Sequence, residues 1–164
     1  MYGLIMTELP MFDARGGSLE SFVRLDGASP ENTNELSRFA CSLVVVVWAG
    51  QALLGFNASR QQWELPGGSV EPGESAHESA LRELAEETGI LARRAALVAR
   101  AEFKFGGEAI KYPAAVFTVF LDGATEPVAS DELKSFLWWE PTNETWDGLC
   151  PLDAEIARRC LSYD

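Results

Sequence analysis

The chain has 164 residues, about half of them apolar, and a formal charge of −12. That length fits one domain with a sizeable core, and the charge argues against sequence-independent binding to a nucleic-acid backbone or an anionic membrane surface, both of which need clustered Lys and Arg. No apolar run approaches the roughly 20 residues of a membrane span, and the start, MYGLIMTELPMFDAR, lacks the basic region and long apolar stretch of a signal peptide.

Residues 1–38 are mixed in character, with Gly16-Gly17 and a polar stretch, SPENTNELS, from Ser29 to Ser37. They are expected to form a short strand or hairpin and then a loop. This extension belongs to the same domain as residues 39–164 and offers an edge or a homodimer contact. Next comes CSLVVVVWAGQALLGFN. Two β-rich runs flank Ala49-Gly50-Gln51, a hairpin whose first strand is buried on both faces.

Trp63-Glu64-Leu65-Pro66 leads into Gly67-Gly68, and Pro72-Gly73 marks a turn. Ser75 with Glu78 three residues on makes a capping box, so a helix starts near Ser75; Gly89 is where it stops. The interior, AHESALRELAEET, is rich in strong helix formers. Strands are expected at Ala96 to Phe105, Ala114 to Leu121 and Ser135 to Trp139. The tail, PLDAEIARRCLSYD, puts Leu152, Ile156, Ala157, Cys160 and Leu161 on one helical stripe. Strands outnumber helices, and the expected class is α/β (α+β), a central mixed sheet flanked by helices. Cys41, Cys150 and Cys160 form no CxxC pair, so neither a zinc site nor a disulfide framework is expected, and a reducing, cytoplasmic setting is.

Within the middle helix, Glu83, Glu86 and Glu87 span about 100° of the circumference, on an arc apart from Ala80, Leu81, Leu84 and Thr88. The three carboxylates are therefore expected to project together, away from the packed side. Two readings compete. Acidic surface helices are common, and Arg82 is spaced to pair with Glu78 and Glu86. Three carboxylates at i, i+3 and i+4 also suit a hard divalent cation, whose binding relieves their repulsion.

The surrounding residues favour the cation. Gly68, five residues (SVEPG), Glu74, seven residues (SAHESAL), then Arg82-Glu83-Leu84-Ala85-Glu86-Glu87-Thr88-Gly89-Ile90 match every specified position of the Nudix box. A chance match in a chain this long has odds on the order of 10⁻⁷. The chain thus resembles the Nudix hydrolase family, which implies an α/β/α sandwich.

The resemblance also implies an activity: hydrolysis of a phosphoanhydride bond in a nucleoside diphosphate-linked compound with Mg²⁺ or Mn²⁺. Glu83, Glu86 and Glu87 occupy the metal-ligand positions, with the Gly68 carbonyl beside them. Glu74 and Arg82 match the pair that orients these glutamates. Glu83 is the general-base candidate inside the box; Glu102, Glu108, Glu126 and Glu132 are candidates downstream. His77 falls at an unspecified box position and is assigned no chemistry.

The expected partner is a small nucleotide derivative. Arg60, Trp63 and Lys104 are the substrate-binding candidates, with Lys111 a further cation near them. Phe103, Phe105, Tyr112, Trp138 and Trp139 are possible base-stacking groups. For all of these, ordinary packing or solvation is the competing explanation. The ADP-ribose group of the family often carries a Pro about 16 residues past the box. Phe105-Gly106-Gly107 stands there instead, and the first Pro is Pro113. The Tyr that marks the dinucleoside-polyphosphate group has only Tyr112 as a counterpart. A nucleoside triphosphate pyrophosphatase and a nucleotide-sugar hydrolase stay open, as does a Nudix-like domain that senses nucleotides without cutting them.

Overall fold

The computed structural model describes residues 5–25, 38–142 and 144–162. The Ser29 to Ser37 stretch, expected to be a loop, lies outside them. Among the described residues nine strands and two helices follow one another as β1 (Met11–Phe12), β2 (Ser18–Arg24), β3 (Cys41–Trp48), β4 (Gln51–Asn57), β5 (Gln62–Glu64), β6 (Gly67–Ser69), α1 (Ala76–Thr88), β7 (Ala96–Lys104), β8 (Tyr112–Phe120), β9 (Leu133–Trp139) and α2 (Pro151–Leu161). The strands join in one sheet ordered β1-β2-β7-β8-β3-β4-β5, with β6 added beside β3 and β9 beside β4. It is mixed: β3 runs parallel to β8 and antiparallel to β4.

The valine run explains why β3 sits at the centre. Val45 and Val47 pack into one apolar cluster with Leu54, Leu152, Ile156 and Cys160. Val44 and Val46 pack into another with Ala80, Leu84 and Phe117. Side chains alternate across a strand, so a run apolar at every position needs cover on both faces. Helix α2 covers the first face and α1 the second. The hairpin turn is Ala49–Gly50, both with positive φ, as a two-residue turn between twisted strands requires.

Helix α1 begins and ends where local chemistry directs. The Glu78 N–H donates to Ser75 Oγ at 3.1 Å, and the Ser75 N–H donates to Glu78 Oε2 at 2.8 Å. Gly89 closes the helix at φ 72°, its N–H bonded to the Ala85 carbonyl, a conformation glycine adopts without a Cβ penalty. Glu78 is thus committed to the cap, and of the two acids spaced to pair with Arg82 only Glu86 does so, at 3.2 Å.

Strands β1 and β2 of this N-terminal stretch are part of the sheet. β2 pairs antiparallel with β7, placing Ser18 opposite Lys104 and Leu19 opposite Phe103. Leu19 is fully buried in the α2-side cluster. Among the described residues no helix is long and apolar enough to cross a membrane.

Candidate active site

The box loop is held against the central strand before it reaches α1. Ser42 and Leu43 of β3 pair with Gly68 and Gly67 of β6, and Ser42 Oγ lies 3.0 Å from Ser79 Oγ on α1. Strand, loop and helix are therefore fixed together. Gly68 passes so close to α1 that a Cβ placed on it would overlap the Glu83 carboxylate. The Gly68→Ala variant is expected to displace Glu83 and lower kcat at least tenfold while keeping the fold; steady-state kinetics alongside circular dichroism check this.

Arg82 organises the acids around it. Its Nε donates to Glu74 Oε2 at 2.6 Å and its Nη2 to Glu74 Oε1 at 3.0 Å, a two-pronged pairing. Nη1 donates to Glu83 Oε1 at 2.9 Å and to Glu86 Oε2 at 3.2 Å, and Nη2 reaches the Ser69 carbonyl at 3.2 Å. The guanidinium holds the Glu74 carboxyl down at about 2. Burial pushes the Glu83 carboxyl up, against the pull of Arg82.

Contrary to expectation, the three box glutamates do not all project together away from the packed side. Glu86 is exposed, at 60% for its side chain, whereas Glu87 is only 4% exposed. The reason is the loop: Glu87 Oε1 accepts the Gly67 N–H at 2.8 Å, which turns the carboxylate inward under β6. Burial pushes Glu87 up to about 8; the Gly67 bond opposes this, and the negative charges of Glu132, Glu83 and Glu64 add to it. Among the described residues no three acidic, His or Cys side chains already converge as a metal cage. Glu83 and Glu86 face Arg82, and Glu87 faces the loop. The donor set nonetheless fits a hard cation: carboxylate oxygens, one of them on a buried side chain with negative neighbours, beside a loop without a Cβ.

Beside the loop opens a cavity of about 610 Å³. Cys41 to Leu43 of β3, Glu64, Leu65 and Gly67 to Ser69 form one part of its lining. Phe103, Phe105 and Tyr112, from the facing ends of β7 and β8, form another. Cys150, Leu152 and Asp153, at the start of α2, contribute a third. Phe105 stacks near-parallel on Phe103, with centroids 6.1 Å apart and planes 11° apart, and tilts against Tyr112 at 5.4 Å. Three of the five aromatic candidates thus meet at one cavity. Trp138 packs edge-on with Trp48, and Trp139 packs edge-on with Trp146 and carries the Arg158 guanidinium over its ring.

The cationic candidates separate in the same way. Arg60 lines the cavity, but Glu64 claims its charge with bonds of 3.0 and 2.6 Å. Lys104 lies 3.7 Å from Glu20 and outside the cavity lining. Trp63 packs on Phe56, its N–H donating to the Gly148 carbonyl and its carbonyl accepting the Cys150 N–H, so it ties β5 to the start of α2. Lys111 lies at the exposed β7–β8 connection. His77 packs edge-on against Phe117 at 5.8 Å. Of the four downstream acids, Glu132 is the one whose charge acts on both Glu83 and Glu87. Glu108 accepts the Tyr112 hydroxyl, and Glu102 lies 3.9 Å from Arg100. Glu126 is exposed.

Three acids line the cavity that no sequence motif marks: Asp13, Glu64 and Asp153. Glu64 accepts four hydrogen bonds, from Asn57, Arg60 twice and Gln62. Asp153 Oδ2 accepts the Leu65 N–H at 2.8 Å; an acid among the apolar residues that open the last helix was the available signal. Burial, with the charge of Glu64 nearby, pushes Asp153 up to about 7. The folded chain therefore holds a proton there that the unfolded chain has released, and stability falls as pH rises from about 4 through about 7. Asp153→Asn keeps an acceptor for Leu65 and abolishes the titration. Its melting temperature relative to wild type is expected to climb between pH 5 and pH 8; a constant difference would refute the assignment. Burial also pushes the Cys41 thiol up to about 11, and that of Cys150 well above its ordinary value, so neither is a ready nucleophile at neutral pH.

A NUDIX domain model matches residues 38–160. The chain belongs to the NUDIX family. A structure of the Bacillus subtilis pyrophosphohydrolase BsRppH superposes with a TM-score of 0.59 at 19% identity, covering 85% of this chain and 80% of that one. An oxidized purine nucleoside triphosphate hydrolase of Danio rerio is 32% identical over 114 residues, 64% of this chain and 70% of that protein. An RNA pyrophosphohydrolase of Dinoroseobacter shibae is 39% identical over 59 residues, 34% of this chain and 37% of that protein. The chain spans about a third of the length of the first curated relatives it matches. NUDIX proteins generally use divalent metal ions.

Proposed function

We propose that this NUDIX chain hydrolyses a phosphoanhydride bond in a nucleoside diphosphate-linked compound, and that its substrate is a nucleoside triphosphate cut to the monophosphate and pyrophosphate. One observation carries the reading: a cavity lined by three aromatic rings also includes the loop that contacts Glu83 and Glu87. A nucleoside held among Phe103, Phe105 and Tyr112 would leave its phosphates beside the acidic helix. The likeness to an oxidized purine nucleoside triphosphate hydrolase supports a nucleoside triphosphate as the substrate.

Glu83, Glu86, Glu87 and the Gly68 carbonyl would hold Mg²⁺ or Mn²⁺, which when bound neutralises phosphate charge and acidifies the attacking water. Arg82 and Glu74 orient the glutamates. Glu83 accepts the proton from water as the new oxygen–phosphorus bond forms and the anhydride oxygen departs. Glu132 is the alternative base, since its charge acts on the same pair of carboxylates. Arg60 serves by holding Glu64 rather than by touching phosphate, Trp63 ties β5 to the start of α2, and Lys104 stands beside Glu20 outside the cavity. Nucleic acid polymers are not substrates on this reading, because the net charge opposes them. Three free thiols suit a cytoplasmic setting. The edge strand β1, with Phe12 exposed on it, is where a second copy would add in a homodimer.

The test is a Mg²⁺-dependent screen of nucleoside triphosphates, oxidised purine triphosphates, nucleotide sugars and dinucleoside polyphosphates, with products identified by mass. Monophosphate plus pyrophosphate from a triphosphate is the expected result. Binding without turnover across the whole panel would instead make this a sensing domain.

A further inference from the structure

The family match begins at residue 38, yet Asp13, Arg15 and Gly17 line the cavity. All three come from the turn joining β1 to β2, and that turn is tightly built. The Asp13 N–H donates to the Gly17 carbonyl at 3.0 Å. Asp13 Oδ1 accepts the Arg15 N–H at 2.8 Å and the Gly17 N–H at 2.7 Å. The segment leading into it is fastened to α2: the Thr7 N–H donates to the buried Glu155 at 2.9 Å, and Arg159 Nη2 donates to the Thr7 carbonyl at 2.6 Å. From this frame the Arg15 guanidinium reaches the carbonyl of Arg60, another lining residue.

Arg15 and Arg60 are the cations among the lining residues. Glu64 neutralises Arg60. Asp13 is spent on its own turn, and among the described residues no carboxylate pairs with Arg15. Its bond to Arg60 is to a neutral carbonyl and uses one of five N–H donors. An acidic protein must bring a polyphosphate into a cavity that also contains Asp13, Glu64 and Asp153. An exposed guanidinium with no carboxylate partner among the described residues is the group suited to offset that repulsion and to bond phosphate oxygens.

We propose that Arg15 is a substrate-binding residue that takes a phosphate oxygen of the nucleotide, making the β1–β2 turn a part of the site that the family match does not include. The inference rests on the nucleotide reading above. Wild type, Arg15→Ala and Arg15→Lys are compared in three ways. The first is hydrolysis of nucleoside triphosphates with Mg²⁺ at low and high salt, the second equilibrium binding of ADP and GDP, and the third thermal melting.

The alanine variant should raise KM and the dissociation constants about tenfold, leave kcat within about twofold and weaken the salt dependence. The lysine variant should keep most of the affinity, because its charge remains. Melting should not change. Unaltered KM and affinity in the alanine variant overturn the proposal, as does a fall in kcat and melting temperature at constant KM, which would make Arg15 a structural tether. Lysine as damaging as alanine overturns the phosphate assignment in favour of a two-pronged bond to a neutral acceptor. If wild type binds the diphosphates but cleaves nothing, the hydrolase reading fails and the binding comparison alone decides Arg15. If wild type binds neither diphosphate, this proposal falls.

Discussion

Glu86→Gln and Glu87→Gln are each expected to lower kcat by on the order of 10²-fold or more, through loss of cation-supported charge stabilisation in the transition state. The two positions test different things. Glu86 is exposed, so its amide variant changes little in the packing. Glu87 is buried, but its one bond is accepted from the Gly67 N–H, and an amide oxygen can accept the same bond. Both variants should therefore fold, as circular dichroism and melting will show.

Ligand linkage supplies a second readout that needs no substrate. Mg²⁺ or Mn²⁺ bound to the folded chain raises its melting temperature; that rise should be clear in wild type and shrink in both variants. Wild-type rates in either variant, or equal metal-dependent stabilisation in all three proteins, would remove the glutamates from the site.

Arg82→Ala should come next in size, with kcat/KM down by on the order of 10²-fold at limiting metal and the Mg²⁺ needed for half-maximal rate raised 10- to 100-fold. The guanidinium is the common partner of Glu74, Glu83, Glu86 and the Ser69 carbonyl, so its removal frees three carboxylates to repel one another. Lysine should rescue poorly. A single ammonium cannot reproduce the two-pronged bond to Glu74 at 2.6 and 3.0 Å while also reaching Glu83. A metal titration of activity separates this role from direct substrate contact: added Mg²⁺ should recover most of the alanine variant's rate. An unchanged metal requirement with a raised KM would recast Arg82 as a substrate residue.

Local interactions made the acidic helix legible. Its start, its stop and the spacing of its glutamates depend on residues within a few positions of one another, as the Ser75–Glu78 cap and the Gly89 closure show. The two-sided burial of β3 was equally readable, since a run of four valines has no polar face to give to water. The polar half of the cavity was not. Asp153 meets the Leu65 N–H across 88 positions, and Arg15 meets the Arg60 carbonyl across 45. No periodicity or spacing rule reaches so far.

The same limit explains the one misjudged orientation. An angle around a helix axis set Glu87 beside Glu83 and Glu86, but the Gly67 N–H, supplied by a loop pinned to β3, turned it inward. By itself the sequence determined the family, the secondary structure around the box and the spacing of the acidic residues on its helix, because these follow from neighbours along the chain. Only the tertiary structure decided which glutamate is buried, which aromatics meet at the cavity and that Arg15 belongs to it. Those outcomes depend on strand pairing and on where distant hydrogen-bond donors come to rest.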